Sequence, residues 1–507
     1  MAFDRLNQLK QNYSILFKFY NIEDFTFFNK CINLNKVNKL GIYLEQTEEE
    51  KYPLIEEVGK NNYGENYTKS IKYRSNPYEI FKNKFICLFN TITSCNNYLL
   101  NNLQYLKISA KTNDYLFFFD LDEYHLAEKL NNFKSLSHLE LEYFKFEEPK
   151  FELKLNSVKV FKISHCTGIT ISENVCSNLK ELFIYKSDIS YKKSPLKFPN
   201  LVKLQFYNNL DDHIKMRNDK FMKANNSSID FTSLNNLKIL KVEEDGFLKL
   251  KNNTLESLTV ISIDIDKTKE KKIIEKIISM KSLKEVNITI KAISNDIISN
   301  IPGENPSVEK LNIYWDKTEN CDIIYLQKKF PNVNNLSVTT RGIKVFSQSI
   351  IIEENKNCKI NSLSLYGGKS DIKLYCSSFE NLIEFDLTRY IIIDKVSKKS
   401  FPLLNKDCNL IFNLMISFKF KILNFDYELL DNLINNLEKM PNLKTLELGC
   451  ITPVDKKIYD KLNAKISKMK LVNINIIIFK SNKDFSIEKV KDKIINVFGT
   501  NGIVIRK

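Results

Sequence analysis

The sequence predicts a solenoid of the α/β class, a stack of short parallel strands joined by partly helical returns, and three observations carry the prediction. First, a pattern of apolar-x-(Asn, Ser or Thr)-Leu-x-x-Leu-x-Leu recurs along the chain. Clear copies are Leu100 to Leu103 followed by Leu106 and Ile108, Phe198 to Leu201 followed by Leu204 and Phe206, and Met440 to Leu443 followed by Leu446 and Leu448. Second, taking the first aliphatic of the Leu-x-x-Leu-x-Leu core as an origin gives sixteen copies from Val37 to Leu471, Ile411 among them, spaced about 26 residues apart from Leu103 onward. A period of that size belongs to solenoids. Third, positions not used to choose the origins agree with them: 12 of 16 copies are apolar three residues upstream, and 12 of 16 carry Asn, Ser or Thr one residue upstream.

Each origin opens a strand whose inward residues are the second and third aliphatics, because alternate side chains point to opposite faces. Consecutive parallel strands require a return across the back. Apolar stripes at helical spacing mark several returns: Leu126 and Leu130; Ile273, Ile274, Ile277 and Ile278; Ile293, Ile297, Ile298 and Ile301, ended by Pro302; Leu429, Leu430, Leu433, Ile434 and Leu437; and Ile458, Leu462 and Ile466. The expected organisation is an N-terminal cap and first repeat over 1–44, an insertion over 45–100, the array over 101–478 and a C-terminal cap over 479–507. In that last cap Ser486 is expected to start a helix with a stripe through Val490, Ile494 and Val497, Gly499 to stop it, and Ile503 to Ile505 to form a closing strand. A polar loop is expected over 208–233.

A 507-residue chain ordinarily splits into several domains, but a stack in which each coil touches only its neighbours grows as one body. The net charge of +15 rests almost entirely on lysine: only six of 76 basic residues are arginine. Arginine supplies the planar fork for bidentate phosphate and base recognition, whereas lysine is a solvated point charge, so the excess is read as compositional bias. The ten cysteines show no C-x-x-C pair and no paired histidine spacing, which leaves neither a zinc site nor a disulfide framework. Cys176 and Cys408 fall at the apolar position before an origin. Free buried thiols, no signal-peptide core and no apolar run of spanning length lead to an expected intracellular, cytoplasmic location.

These residues resemble the leucine-rich repeat family over roughly 34–478. The period and the helical returns are most similar to its ribonuclease-inhibitor-like and cysteine-containing intracellular subclasses, and Val158-x-x-Phe161-x-Ile163-x-x-Cys166 matches the core of the latter. The resemblance implies a horseshoe or irregular arc with a parallel sheet on its concave side, where members of the family mostly bind other proteins. It also implies Asn or Cys eight residues after each origin, bonding the neighbouring coil. Cys166, Ser187, Asn209, Asp245 and Asp316 suit that role, whereas Phe144, Ile263, Arg341 and Tyr390 do not.

In this register the solvent-facing strand positions lie two, four and six residues after each origin. They hold eight acidic and six basic residues, so the concave face does not carry the chain's excess positive charge and is no platform for a polyanion. The sixth position holds tyrosine in five of 16 copies, where the overall content of 23 in 507 predicts about one. Tyrosine is enriched at interface hot spots, and β-propensity also favours it on sheets. The expected partner-binding residues are Tyr105, Phe183, Tyr185, Tyr207, Tyr314 and Tyr366.

No catalytic constellation, cofactor site or metal site is expected. The run Asp120-Leu121-Asp122-Glu123-Tyr124-His125 reads as the acidic first turn of a helix, and His165 and His213 have no assembled partners. His138 beside Glu140 and Glu142 is an ordinary surface group or a pH-sensitive contact. The sequence therefore reads as a non-catalytic scaffold that binds a protein partner on its concave sheet. Two alternatives stand beside it. One is a ubiquitin-ligase substrate receptor, since Ile15-Leu16 through Ile22-Glu23-Asp24-Phe25 to Cys31 faintly resembles the middle of an F-box; the other is lysine-mediated binding of nucleic acid or acidic membrane through convex and loop surfaces.

Overall fold

A computed structural model describes residues 13–19, 37–44, 55–60, 66–72, 101–109, 119–120, 126–145, 151–166, 168–187, 189–190, 196–207, 229–251, 253–261, 267–291, 293–315, 321–340, 349–352, 359–367, 371–374, 381–391, 406–407, 409, 411–422, 427–450, 456–471, 473–479, 489–490, 493–494 and 496–498. The chain divides into two compact units, 1–252 and 253–507. Each is a stack of coils of the leucine-rich-repeat type, built on a ladder of parallel strands.

In the first unit the ladder runs β1 (Tyr13–Phe19), β2 (Val37–Leu44), β3 (Tyr105–Ser109), β4 (His138–Glu142), β5 (Val160–Ser164), β6 (Glu181–Tyr185), β7 (Lys203–Tyr207) and β8 (Ile239–Glu243), each parallel to the next. The second carries β9 (Ser257–Ile261), β10 (Glu285–Ile290), β11 (Lys310–Trp315), β12 (Asn335–Thr340), β13 (Ser362–Gly367), β14 (Glu384–Ile391), β15 (Ser417–Ile422), β16 (Thr445–Cys450), β17 (Asn473–Phe479) and β18 (Asn496–Phe498). Fifteen of the sixteen sequence origins are buried, and the aliphatics three and five residues later, such as Leu106 with Ile108 and Leu446 with Leu448, are buried with them. The period-2 geometry of a strand and the Leu-x-x-Leu-x-Leu spacing thus produce one apolar seam along each unit.

The exception is Ile411, which is 56% exposed, as are Leu414 (50%) and Ile416 (40%); Phe412, Met415, Phe418 and Phe420 are buried instead. Two overlapping patterns four residues apart compete here, and the one that buries three aromatic rings prevails. The origin of this copy is therefore Met415, and Cys408 loses its assigned place. The shift also adds Lys419 and Lys421 to the outward positions of β15, so acidic and basic residues balance there at eight each.

The expected helical returns form at Leu126–Asn131, Lys267–Ser279, Asn295–Asn300, Tyr427–Asn436 and Lys456–Ile466. Helices Glu173–Asn178, Glu244–Lys249 and Ile323–Lys329 were not legible, being barely two turns long. Some returns also carry strands: Phe151–Leu153, Ile169–Ile171 and Ile189–Ser190 form a small parallel sheet, as do Cys321–Asp322, Ser349–Ile352 and Asp371–Leu374. Within 45–100, Ile55–Lys60 pairs antiparallel with Asn66–Lys72. The helix expected through Val490, Ile494 and Val497 is replaced by strands Lys489–Val490, Lys493–Ile494 and β18. Ile and Val spaced four and three apart suit a helix, but their β-branching suits strands, and β17 offers an unpaired edge that β18 covers. Ser486 and 503–505 lie outside the described residues. So do 121–125, 208–228 and 22–31, whereas Ile15 and Leu16 lie on β1.

The residue before each origin proves to be the inter-coil tie. Asn178, Asn200, Asn236, Asn332 and Asn442 each donate from Nδ2 to the carbonyl two residues before the preceding origin: Asn156 (3.0 Å), Ser177 (2.8 Å), Pro199 (2.8 Å), Pro306 (2.7 Å) and Asn413 (2.7 Å). Ser282 makes the equivalent bond to Asn253 at 2.7 Å. At the position eight after the origin, Cys166 N–H donates to Ser187 Oγ (2.9 Å) and Ser187 Oγ donates to the Tyr185 carbonyl (2.7 Å). Phe144 at the same position is buried and apolar. A single Asn332→Ala change is expected to cost roughly 0.5–1.5 kcal/mol. Faster amide exchange confined to the loops before β11 and β12 would show it; unchanged exchange would mean the tie is incidental.

Candidate functional site

Strand alternation leaves one side chain in two on the open face of each sheet, and parallel register lines those side chains into rows. In the first unit the central row runs Gly41, Lys107, Glu140, Lys162, Phe183, Gln205 and Lys241 across β2 to β8. Its charges alternate, so neighbouring strands meet as ion pairs. Lys162 Nζ lies 2.7 Å from Glu140 Oε1, His138 Nε2 lies 2.8 Å from the same oxygen, and Lys107 Nζ reaches Glu142 at 2.8 Å and Glu140 at 3.4 Å. Tyr105 packs on His138 with ring centroids 4.6 Å apart.

Burial of Glu140 works against its charge, but hydrogen bonds from His138 and Lys162 and the charges of Lys162 and Lys107 outweigh it and hold its pKa down at about 2. Burial, then the Glu140 charge, pushes the Tyr105 phenol up to about 12. Burial also lowers the Lys107 ammonium, yet bonds to Glu142 and Tyr43 raise it overall. The Cys166 and Cys176 thiols are pushed up to about 12 by burial, which keeps them protonated and unreactive.

The Glu140 pKa makes the sheet acid-sensitive. Its contribution is present above the unfolded carboxylate value near 4.5 and disappears as pH falls through about 2. Linkage arithmetic gives about 2–3 kcal/mol, an upper value because Lys162 is part-exposed. Urea melts between pH 5 and 2.5 are expected to shift less for Glu140→Gln than for the wild type. Parallel shifts would overturn the assignment.

Beside this network the face opens into a groove of about 410 Å³, lined chiefly by Glu142, Lys162, Phe183, Tyr185, Gln205 and Lys241. Phe183 forms its apolar centre, with Lys162 Nζ 5.1 Å and Lys203 Nζ 4.9 Å from its ring centroid. Tyr185, 40% exposed, stands on the same strand. Its ring meets His165 edge-on at 5.3 Å, and His165 in turn stacks on Tyr143 at 4.6 Å and 10°. His165 therefore has partners after all. The groove rim is also where three successive coils turn sharply, since Tyr143, His165 and Lys186, each seven residues after an origin, have positive φ. Their common offset was the signal for this cluster.

The six expected binding residues do not form a single described group. Tyr185 pairs in register with Tyr207, and Phe183 is two residues from Tyr185 on β6, whereas Tyr105 lies three strands away on β3. Tyr314 and Tyr366 belong to the second unit, where Thr339 on β12 separates them. The central row there is neutral over Thr259, Asn287, Asn312, Ser337 and Ser364. Asn287 donates to Thr259 Oγ1 at 3.1 Å and Asn312 to Asn287 Oδ1. Among the described residues no three His, Cys, Asp or Glu gather as metal ligands, and no helix is long and apolar enough to cross a membrane.

No family model matches the chain, and no curated protein matches its sequence. Among solved structures, the crystal structure of a TLR13–ssRNA13 complex aligns with TM-score 0.35 and 13% identity over 76% of this chain and 61% of that one, less than two thirds of its length. A superposition that weak adds nothing to the coil geometry above.

Proposed function

We propose that the chain is a non-catalytic protein-interaction scaffold, of the ribonuclease-inhibitor-like or cysteine-containing repeat type and located in the cytoplasm. It binds its partner on the open face of the first unit. The groove around Phe183 and Tyr185 carries this reading: aromatic side chains stand exposed at its centre while charged groups surround them, the layout of an interface hot spot. Tyr207 extends the same row, and Tyr105 flanks it beyond the ion-pair network. Tyr314 and Tyr366 offer a second contact on the other unit. The buried, protonated thiols support a structural role for those cysteines rather than a nucleophilic one.

The test is capture from native cells with the wild type, a Phe183→Ser/Tyr185→Ser variant and a Tyr314→Ser/Tyr366→Ser variant, each with an unchanged thermal melt. The expected result is selective loss of a protein with the first variant, followed by protection of β5 to β8 in hydrogen exchange of the purified pair. Equal recovery by all three forms would remove the open face from the function.

A further inference from the structure

Resting on that reading, we propose that the groove takes an acidic peptide segment, seating one large apolar side chain against Phe183 and Tyr185 with a carboxylate on Lys203 and Lys241. The two ends of the groove differ in how far their charges are already satisfied. At the β4 end, Glu140 and Glu142 are bonded to Lys107, Lys162 and His138, so that end presents a closed network. At the other end Lys203 stands 3.9 Å from Glu181, too far for a direct hydrogen bond, with its ammonium over the Phe183 ring. Lys241 lines the groove one strand further on. The apolar surface continues on that side, because Ile239, 37% exposed, is the register partner of Lys203.

Spacing sets the motif. Phe183 and Lys241 occupy the same row two strands apart, roughly 10 Å at about 4.8 Å per strand, and an extended peptide crossing the strands covers that in about three residues. The expected ligand therefore carries Asp or Glu two or three positions from an aromatic or large aliphatic residue. A nucleic-acid strand fits less well, because Glu140, Glu142 and Glu181 on the same face repel a continuous run of phosphates, whereas a short acidic motif touches only the lysine end.

The experiment is selection of displayed random 12-residue peptides on the immobilised full chain, followed by affinity measurement of the enriched peptides by fluorescence anisotropy. Against the wild type, Lys203→Glu, Lys241→Glu and Phe183→Ser variants are each expected to weaken binding at least tenfold, and Lys310→Glu on the second unit is expected to leave it unchanged. Enriched peptides that are basic or uncharged but still need Phe183 overturn the acidic ligand and leave the scaffold reading standing. Peptides indifferent to Phe183, or no enrichment at all, overturn the groove as the site. A 12-nucleotide RNA that displaces the peptides at equal or lower concentration overturns the peptide in favour of a polyanion.

Discussion

Phe418→Ala is expected to cost about 3–5 kcal/mol, whereas Ile411→Ala, seven residues earlier, changes stability by less than about 0.5 kcal/mol. Phe418 is fully buried and stacks between Phe385 (5.7 Å, 19°) and Phe420 (5.6 Å, 12°), so truncation removes a ring from a three-ring core and leaves a cavity bounded by rigid strands. Ile411 loses only solvent-facing methyl groups. Trp315, the chain's single tryptophan, is fully buried in the same unit, and its emission in a denaturant titration reports on both variants. Because stacked coils unfold piecewise, amide exchange over β14 to β16 is the companion measurement. A costly Ile411→Ala with a tolerated Phe418→Ala would place the coil four residues earlier, in the register that the aliphatic pattern first suggests.

That pair of residues shows where sequence reading of this fold stops. Burial at fifteen origins follows from a spacing that only one face of a strand satisfies, and long returns such as Lys267–Ser279 are legible because four isoleucines repeat at 3.6-residue period. Ile411-x-x-Leu414-x-Ile416 satisfies the same spacing as Met415-x-x-Phe418-x-Phe420, and periodicity has no means of ranking two copies that overlap. The volume of three phenyl rings decides. The C-terminal strands fail for a related reason: spacing at Val490, Ile494 and Val497 fits a helix, and pairing of the neighbouring Asn496–Phe498 with β17 is a tertiary fact. Of the candidate site, the outward positions were readable from alternation, so the rows of β3 to β8 stand where expected. The Lys107, Glu140 and Lys162 network was not, since ion pairing across strands depends on register between repeats 33 and 22 residues apart. His165 escaped because its partners, Tyr143 and Tyr185, belong to the coils on either side.

Asn305→Leu is the most counterintuitive expectation, a loss of about 2–4 kcal/mol on introducing the residue type that the repeat prefers. Asn305 sits three residues before the origin Val308, where most copies are apolar, and it is fully buried. Its amide donates to the carbonyls of Ile277 (2.9 Å) and Met280 (2.8 Å), at the end of helix Lys267–Ser279, and its Oδ1 accepts from Ser307 N–H (3.1 Å) and hydroxyl. Its own N–H donates to the Lys329 carbonyl (2.7 Å), and Lys329 Nζ caps Ser299 (3.1 Å) and Ile301. Glu270 works in the same way one coil earlier, accepting from Lys291 and Ile293 N–H at 2.6 Å each. Polar residues thus replace apolar ones where a helix ends inside the stack, since helix C-terminal carbonyls need donors that a Leu lacks. Leucine would bury more hydrocarbon, but it would withdraw two donors and the Ser307 acceptor from a site without water access. The change in Trp315 emission midpoint decides between the two effects, because Trp315 lies on the strand that Val308 opens. A midpoint that rises would mean that the apolar preference of the repeat outweighs helix capping at this coil.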